Sequence, residues 1–325
     1  MAILTSPLRE NLPLTAPKKD THDPSHHEPV RLGAADLSVD PVGWFFIEIV
    51  LQVMPPLTLV ALRVSLAALA LWSIIAVLRV KFVFPARVWL AFLLMGLLNN
   101  AIPFTLLTFA QVEIASALAA ILNATTPLFA VVVAALFLAD EKPGILKFAG
   151  VLIGFSGVVI MIGADLAGIQ PSGTGLFAVV AQLACLGAAL SYAFSGAFGR
   201  RFQRYGVPPL LTAAGQLTAS SLILWPVALL FDGSDAIKGV FDPVPLVTLL
   251  ALALASTALA YVIYFKLLGS VGSTNLLLVT FLVPVTASLL GIAILGEHLA
   301  LTDLAGMALI GVGLSAIDGR LWRRW

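Results

Sequence analysis

Charged residues are scarce in this sequence, and cysteine is almost missing. Only 11% of the 325 residues are charged, whereas soluble domains contain roughly 25%. The single cysteine, Cys185, lies inside an apolar block without a partner, which excludes a disulfide framework and a cysteine metal site. The net charge of +1 gives no bulk attraction to nucleic acid, so we expect no nucleic-acid partner.

Familiar enzyme motifs are lacking as well. The sequence contains no HExxH, no GxSxG and no glycine-rich phosphate loop ending in Lys-Ser/Thr, and His298 stands apart from other metal-ligand types. We therefore expect no enzyme activity, no ATP-driven pumping by this chain alone, no metal and no cofactor. An intramembrane enzyme would need catalytic side chains clustered at one depth, and only scattered amides are found.

Apolar residues, by contrast, make up 60% of the chain and come in blocks of about 20 residues. A helix of that length crosses a hydrocarbon core of roughly 30 Å. Unbroken blocks exclude the alternating pattern of barrel strands. The sequence predicts an all-α polytopic membrane protein in which a short stretch, 43–54, precedes nine clear spans: 57–79, 88–110, 114–139, 144–164, 173–199, 208–231, 243–269, 271–296 and 302–319.

The distribution of basic residues predicts the orientation, because cationic loops stay cytoplasmic. Only Lys238 falls on the side opposite to all the others. This bias predicts a multi-pass protein of the plasma (inner) membrane with a cytoplasmic C-terminus, ending in a basic tail over 319–325. The residues on the predicted cytoplasmic side are Arg79, Lys81, Arg87, Lys142, Lys147, Arg200, Arg201, Arg204, Lys266, Arg320, Arg323 and Arg324.

Matching landmarks recur at an offset of about 155 residues and indicate two repeats, 43–165 and 173–318. Each repeat has five spans, an odd number, so the second copy should be inverted in the membrane. Inverted repeats place a binding cavity near the midplane between the copies. The matched landmarks are Pro55-Pro56-Leu57 with Pro208-Pro209-Leu210, Phe104 with Tyr261, Pro127 with Pro284, and Glu141, Gly150 and Gly157 with Glu297, Gly306 and Gly313.

Three segments resemble the EamA-type family of the drug/metabolite transporter superfamily. They are MPPLTLVALR ending at Arg63, NATTPLFAVVVAALFLADE from Asn123, and VTFLVPVTASLLGIAILGE from Val279. The resemblance covers about residues 43–318. It implies a ten-span carrier with both termini cytoplasmic, of a family that commonly exports amino acids, other metabolites or drugs. The motifs do not specify a substrate.

The N-terminal part departs from this pattern. Residues 1–40 are polar and rich in proline, so we expect a flexible tail. Repeat matching aligns 24–39 with the apolar residues 177–192, and the remaining 43–54 would form only roughly 18 Å of helix. Either the first helix is a stub or the start of the chain reflects a faulty gene model or frameshift, which is the explanation we favour.

Two charged residues within the apolar stretches, Glu48 and Arg63, are the first candidates for a substrate pathway. Each lies seven residues from the proline pair, so the two should reach similar depth. They could form a gate or an anion site, or a buried pair that stabilises the first hairpin.

Polar amides are the next candidates. Asn99 and Asn100 precede Pro103, Asn123 lies four residues before Pro127, and Thr280 lies four before Pro284. Interrupted helices at matching positions are a pointer to transporter sites, although for any single amide a hydrogen bond to a neighbouring helix is the favoured role. Weaker candidates are Gln182, Tyr192, Gln216 and Tyr261.

Other features favour structural roles. The stripe formed by Gly150, Gly154 and Gly157 should let helices pack closely. Glu141 and Glu297 fall at span ends, and we expect them to cap loops.

The predicted function is therefore a secondary transporter of small organic metabolites, of the efflux type, working by alternating access. Its partners would be a small-molecule substrate and the lipid bilayer, with a homodimer left open. Two alternatives are a non-catalytic membrane subunit of a larger complex and a phosphate-ester exchanger of the same superfamily. The exchanger would need further basic residues within the spans besides Arg63.

Overall fold

A computed structural model describes residues 42–137, 144–167, 175–263 and 283–319. Within them the chain is helical and contains no strand. Eight helices are long and apolar enough to cross a membrane, and two further apolar helices are shorter. In chain order they are α1 Val42–Leu51, α2 Pro56–Val77, α3 Ala86–Glu113, α4 Ser116–Phe137, α5 Ile145–Leu166, α6 Leu176–Arg204, α7 Pro209–Phe231, α8 Pro243–Ile263, α9 Val283–Leu295 and α10 Leu301–Asp318.

These helices confirm the predicted all-α class. Large apolar side chains such as Leu69, Val77 and Leu230 lie exposed on the outside of the bundle, where lipid would cover them. The described part of α1 begins at Val42, and the polar tail preceding it lies outside the described residues, so the short first helix stays a prediction. Of the predicted span 271–296, only the part from residue 283 is described.

Proline marks where several helices begin. Pro56, Pro209 and Pro243 occupy the first position of α2, α7 and α8, where the missing N–H would have no helical partner anyway. The two proline pairs of the sequence thus start equivalent helices. Pro226 lies inside α7, whose helix continues through it.

Three of the helices are interrupted along their length, and a fourth, α9, ends in a π-turn at Gly291–Leu295. Helix α3 widens into a π-turn at Leu97–Ala101 and α8 into another at Leu254–Leu259; these turns begin 157 residues apart, the offset that relates Phe104 to Tyr261. Helix α4 breaks at residues 124–125, just before Pro127. π-Turns inside α-helices occur frequently at functional sites.

Helices α2 and α7 pack against each other in antiparallel orientation. The indole N–H of Trp72 donates to Thr218 (2.8 Å), and that of Trp225 donates to Ser65 (2.9 Å). Because the later residue of one helix meets the earlier residue of the other, the two helices run in opposite directions.

Helices α5 and α10 also pack antiparallel, through glycine. A Cβ atom added to Gly157 would lie 2.6 Å from the carbonyl oxygen of Gly306, and one added to Gly313 would lie 2.5 Å from that of Gly150. No side chain fits at such a distance. The predicted packing role of Gly150, Gly154 and Gly157 agrees with this close approach.

One end of the bundle is rich in basic side chains, and we call it the basic end. Helix α6 runs antiparallel to α3, since Gly199 lies beside Met95 and Gly187 beside Leu106. The start of α3 therefore meets the last turn of α6, and Arg87 stacks on Tyr205 there, 5.8 Å from the ring centroid. The exposed residues at this end include Arg79, Arg87, Arg200 and Arg204.

The opposite end, which we call the acidic end, carries Asp232 and Glu297. Asp232 follows α7 and contacts the start of α2, while Glu297 follows α9 and contacts the start of α4. The basic residues thus gather at one end of the described bundle, with Lys238 at the other. Which end faces the cytoplasm stays a prediction.

Candidate transport site

The π-turn of α3 places Asn99 among polar groups of three other helices. Its amide nitrogen donates to Gln216 Oε1 (3.2 Å) and to the hydroxyl of Tyr261 (3.0 Å). Its amide oxygen accepts a hydrogen bond from Ser195 (2.8 Å). Asn99 therefore joins α3 to α6, α7 and α8 at the middle of the bundle.

Asn100, the next residue, is completely buried. Its nitrogen donates to Ser220 (3.0 Å), and its oxygen accepts from the hydroxyl of Tyr261 (2.7 Å). The amide groups of Asn99 and Asn100 are thus bonded within the protein. Such saturation fits helix-to-helix bonding, the role that the sequence favours for a single amide.

Arg63 lies beside the π-turn of α8 and is 9% exposed. Its Nε donates to the hydroxyl of Thr257 (2.8 Å), and its guanidinium lies over the ring of Phe104, 4.1 Å from the centroid. Stacking on an aromatic face stabilises a cation out of water. Three helices, α2, α3 and α8, therefore fix the position of this charge.

The two π-turns have matching surroundings. Arg63 and Gln216 lie at the same offset as the two proline pairs, 153 residues apart, and Phe104 corresponds to Tyr261. Arg63 approaches the π-turn of α8 just as Gln216 approaches that of α3. The centre of the bundle thus consists of two similar polar sites, of which one has an arginine and the other an amide.

Glu48 does not join Arg63 in this structure. Both residues are described and no ion pair connects them; the Nε atom of Arg63 bonds Thr257 of α8. The Glu48 Oε2 atom is buried and accepts no hydrogen bond from the described residues. The feasible pair suggested by the sequence is therefore not formed here.

Asn123 ends the first half of α4, immediately before the break. Pro127 has no N–H to give to the Asn123 carbonyl, which accepts instead from the hydroxyl of Thr126 (2.7 Å). The side-chain oxygen of Asn123 is buried and has no hydrogen-bond partner in the described part of the chain. It is an acceptor that a ligand could use.

The other candidates fall in different places. Gln182 is buried and donates to Asp165 near the end of α5, away from the π-turns. Tyr192 is partly buried and packs between the two apolar cores of the bundle. Thr280 lies outside the described residues.

Sequence reasoning missed several members of the centre. Thr257, Ser195 and Ser220 each complete a hydrogen bond described above, and short hydroxyls in apolar helices give little signal by themselves. The repeat offset could have found Thr257, which corresponds to Asn100. Gln111, only 3% exposed and with neither amide atom bonded in the described residues, was also missed.

The part of the chain that the structure describes contains no group of three or more His, Cys, Asp or Glu side chains that could hold a metal ion.

Comparison with known proteins gives the family. The model of the EamA-like transporter family matches this sequence twice, over residues 42–163 and 179–317. The chain belongs to the EamA-like transporter family. It is a multi-pass membrane protein of the drug/metabolite transporter type.

Individual EamA-like relatives are distant but cover nearly the whole length. The uncharacterized transporter YoaV of Bacillus subtilis is 24% identical over 83% of this chain and 90% of its own. A protein of Salmonella typhimurium named a probable amino-acid metabolite efflux pump is 28% identical over 84% of this chain and 89% of its own. A solved crystal structure has the same fold, with a TM-score of 0.63 and 22% identity, covering 91% of this chain and 97% of the other.

Proposed function

We propose that this EamA-like protein is a secondary transporter that carries a small organic metabolite out of the cell across the inner membrane. Transport would proceed by alternating access, with the two repeats moving as inverted halves around the centre of the bundle. The proposal combines the family with the geometry of the two π-turns.

The observation that carries the proposal is the pair of matched polar sites at the π-turns. Polar groups within a membrane are costly and are retained for a purpose. Here they come from both halves of the chain, at Arg63 and Thr257 on one side and at Asn99 and Gln216 on the other. Such a seam between halves is where secondary transporters bind their substrates.

We assign different roles to the two kinds of polar residue. Arg63 supplies the positive charge for an anionic group of the substrate, and Asn123 supplies an acceptor oxygen at the helix break. Asn99, Asn100, Gln216 and Tyr261 hold the π-turns in place. The name of the Salmonella relative supports amino-acid metabolites as the first compounds to test.

A flux assay in proteoliposomes tests this proposal. The purified chain is reconstituted alone, and exchange of labelled amino acids, other metabolites and phosphate esters is measured for the intact chain, Arg63→Ala and Asn123→Ala. Arg79→Ala, at the exposed basic end, is the matched control.

We expect flux of at least one compound, reduced in both site variants and unchanged in the control. Unchanged flux in both site variants would remove the site assignment. Absence of flux for every compound would favour a subunit of a larger complex, and flux confined to phosphate esters would favour the exchanger.

A further inference from the structure

Two carboxylates of the second repeat cap helices of the first repeat. The first is Asp232, just after α7. Its Oδ2 atom accepts hydrogen bonds from the backbone N–H and the hydroxyl of Thr58, both at 2.7 Å. Thr58 lies in the first turn of α2 and is 2% exposed.

Glu297 makes the second cap. Its Oε1 atom accepts from the backbone N–H and the hydroxyl of Ser116, both at 2.7 Å, and its Oε2 atom accepts from the N–H of Ala117 at 3.1 Å. The chain reaches this position through Gly296, whose φ of 67° only glycine adopts readily. The backbone N–H of Glu297 also bonds Gly291 (3.1 Å), which holds the turn.

Both carboxylates bind the start of a helix for the same physical reason. The first N–H groups of a helix lack partners within the helix and carry a partial positive charge, so a carboxylate bonds them strongly. Hydrogen bonds to an ionised acceptor are shorter and stronger than neutral ones. Since Ser116 is 2% exposed, like Thr58, water does not readily replace the carboxylate at either helix start.

The placement of the caps gives them a further meaning. Each cap joins a helix of one repeat to the end of a helix of the other, and both lie at the acidic end of the bundle. While both caps stay in place, α2 stays joined to the end of α7, and α4 stays joined to the end of α9. An alternating-access cycle requires the two repeats to separate at each membrane face in turn.

We propose that Asp232 and Glu297 are latches that keep the acidic end closed, and that both must release before this face opens. This inference rests on the proposed transport function and specifies the contacts that control one of its two faces. Loss of either latch shifts the equilibrium toward states open at the acidic end.

Labelling of a buried cysteine tests the latches. Cys185→Ala removes the only native cysteine. Ala120→Cys then places a reporter one helical turn beyond Ser116, at a position that is 2% exposed. A membrane-impermeant maleimide is applied at the acidic end, and the rate at which it labels the reporter is measured. The rate is compared between this background and the same background carrying Glu297→Gln, Asp232→Asn or Ser116→Ala.

We expect Glu297→Gln and Asp232→Asn to speed labelling by about fivefold, the effect of losing one helix cap. Ser116→Ala removes only the hydroxyl donor and should give a smaller increase. Glu113→Gln and Asp235→Asn are the matched controls, because both side chains are exposed near the same end. They should leave the rate within about twofold of the background.

A second reporter separates opening from general loosening. Ala213→Cys is buried in α7 toward the basic end, and its labelling should not change. Equal labelling of Ala120→Cys in latch variants and controls would overturn the proposal, and so would faster labelling at both reporters. Labelling needs no substrate, so the two proposals can fail separately. If latch variants label faster but no compound is transported, transport is refuted and the latches are not. If flux is normal but the latch variants label no faster than the background, only the latches are refuted.

Discussion

Trp72 and Trp225 occupy the same position in the two repeats, 153 residues apart, and each donates its indole N–H to a hydroxyl on the other's helix. The two acceptors, Thr218 and Ser65, are also 153 residues apart. Each hydroxyl in turn donates to the carbonyl four residues earlier in its own helix. The interface between α2 and α7 is therefore reciprocal.

The reciprocity predicts equal and independent effects of mutation. Trp72→Phe and Trp225→Phe each keep an aromatic ring but remove one interhelical hydrogen bond. Each should lower the free energy of unfolding by about 1 kcal/mol, and the double variant should lose the sum, because the two bonds share no atoms. Chemical unfolding in detergent measures both values.

Trp89→Phe is the control for this prediction. Trp89 is 43% exposed, and its indole nitrogen has no hydrogen-bond partner among the described residues. Its replacement should change stability by less than about 0.5 kcal/mol. A large difference between Trp72→Phe and Trp225→Phe would contradict the equivalence of the two sites.

Much of this fold could be predicted from the sequence because lipid leaves few choices. Apolar blocks of helical length had to be helices, and the proline pairs at Pro55 and Pro208 marked equivalent helix starts. The two π-turns could not be predicted, since a single extra residue in a helical turn leaves no composition signal. The equivalence of Trp72 and Trp225 was visible in the sequence but was overlooked.

The glycine contact between α5 and α10 predicts a sharp contrast between positions. Gly157→Ala would press a Cβ against the Gly306 carbonyl, so the helices must separate, and the free energy of unfolding should fall by about 1–3 kcal/mol. Gly163→Ala, in the same helix, meets no atom within 4 Å. Unfolding measurements should show no loss of stability for Gly163→Ala, and equal losses at both positions would exclude close packing as the reason.

The candidate site was only partly predictable. Glu48 and Arg63 were selected because charges are rare in the apolar stretches, but sequence spacing could not show that Arg63 turns toward Thr257 instead of Glu48. Depth along a helix follows from residue number, whereas the direction of a long side chain depends on packing between helices that are distant in sequence. The same holds for Asn99, whose partners come from three other helices.

Asn100 and Asn123 should respond differently to replacement by alanine. Asn100→Ala removes the buried oxygen that accepts from the Tyr261 hydroxyl and the amide that donates to Ser220, so stability should fall by about 1–3 kcal/mol. Asn123→Ala removes an oxygen that has no partner among the described residues, and stability should change by less than about 0.5 kcal/mol. Paired unfolding and flux measurements should therefore show Asn123→Ala stable but slow in transport.

Arg63→Lys should abolish most transport although it keeps the positive charge. Lysine has a carbon where arginine has Nε, so it cannot donate to Thr257 from that position. It also lacks the planar group that lies over Phe104. The charge would therefore move away from the site that we assign to the anionic group of the substrate. We expect flux to fall about tenfold or more, the equivalent of ~1.4 kcal/mol, with the folded protein recovered in normal yield. Arg79→Lys, at the exposed basic end, should transport normally. Flux of Arg63→Lys equal to that of the intact chain would mean that charge alone suffices and that the contacts with Thr257 and Phe104 have no part in substrate binding.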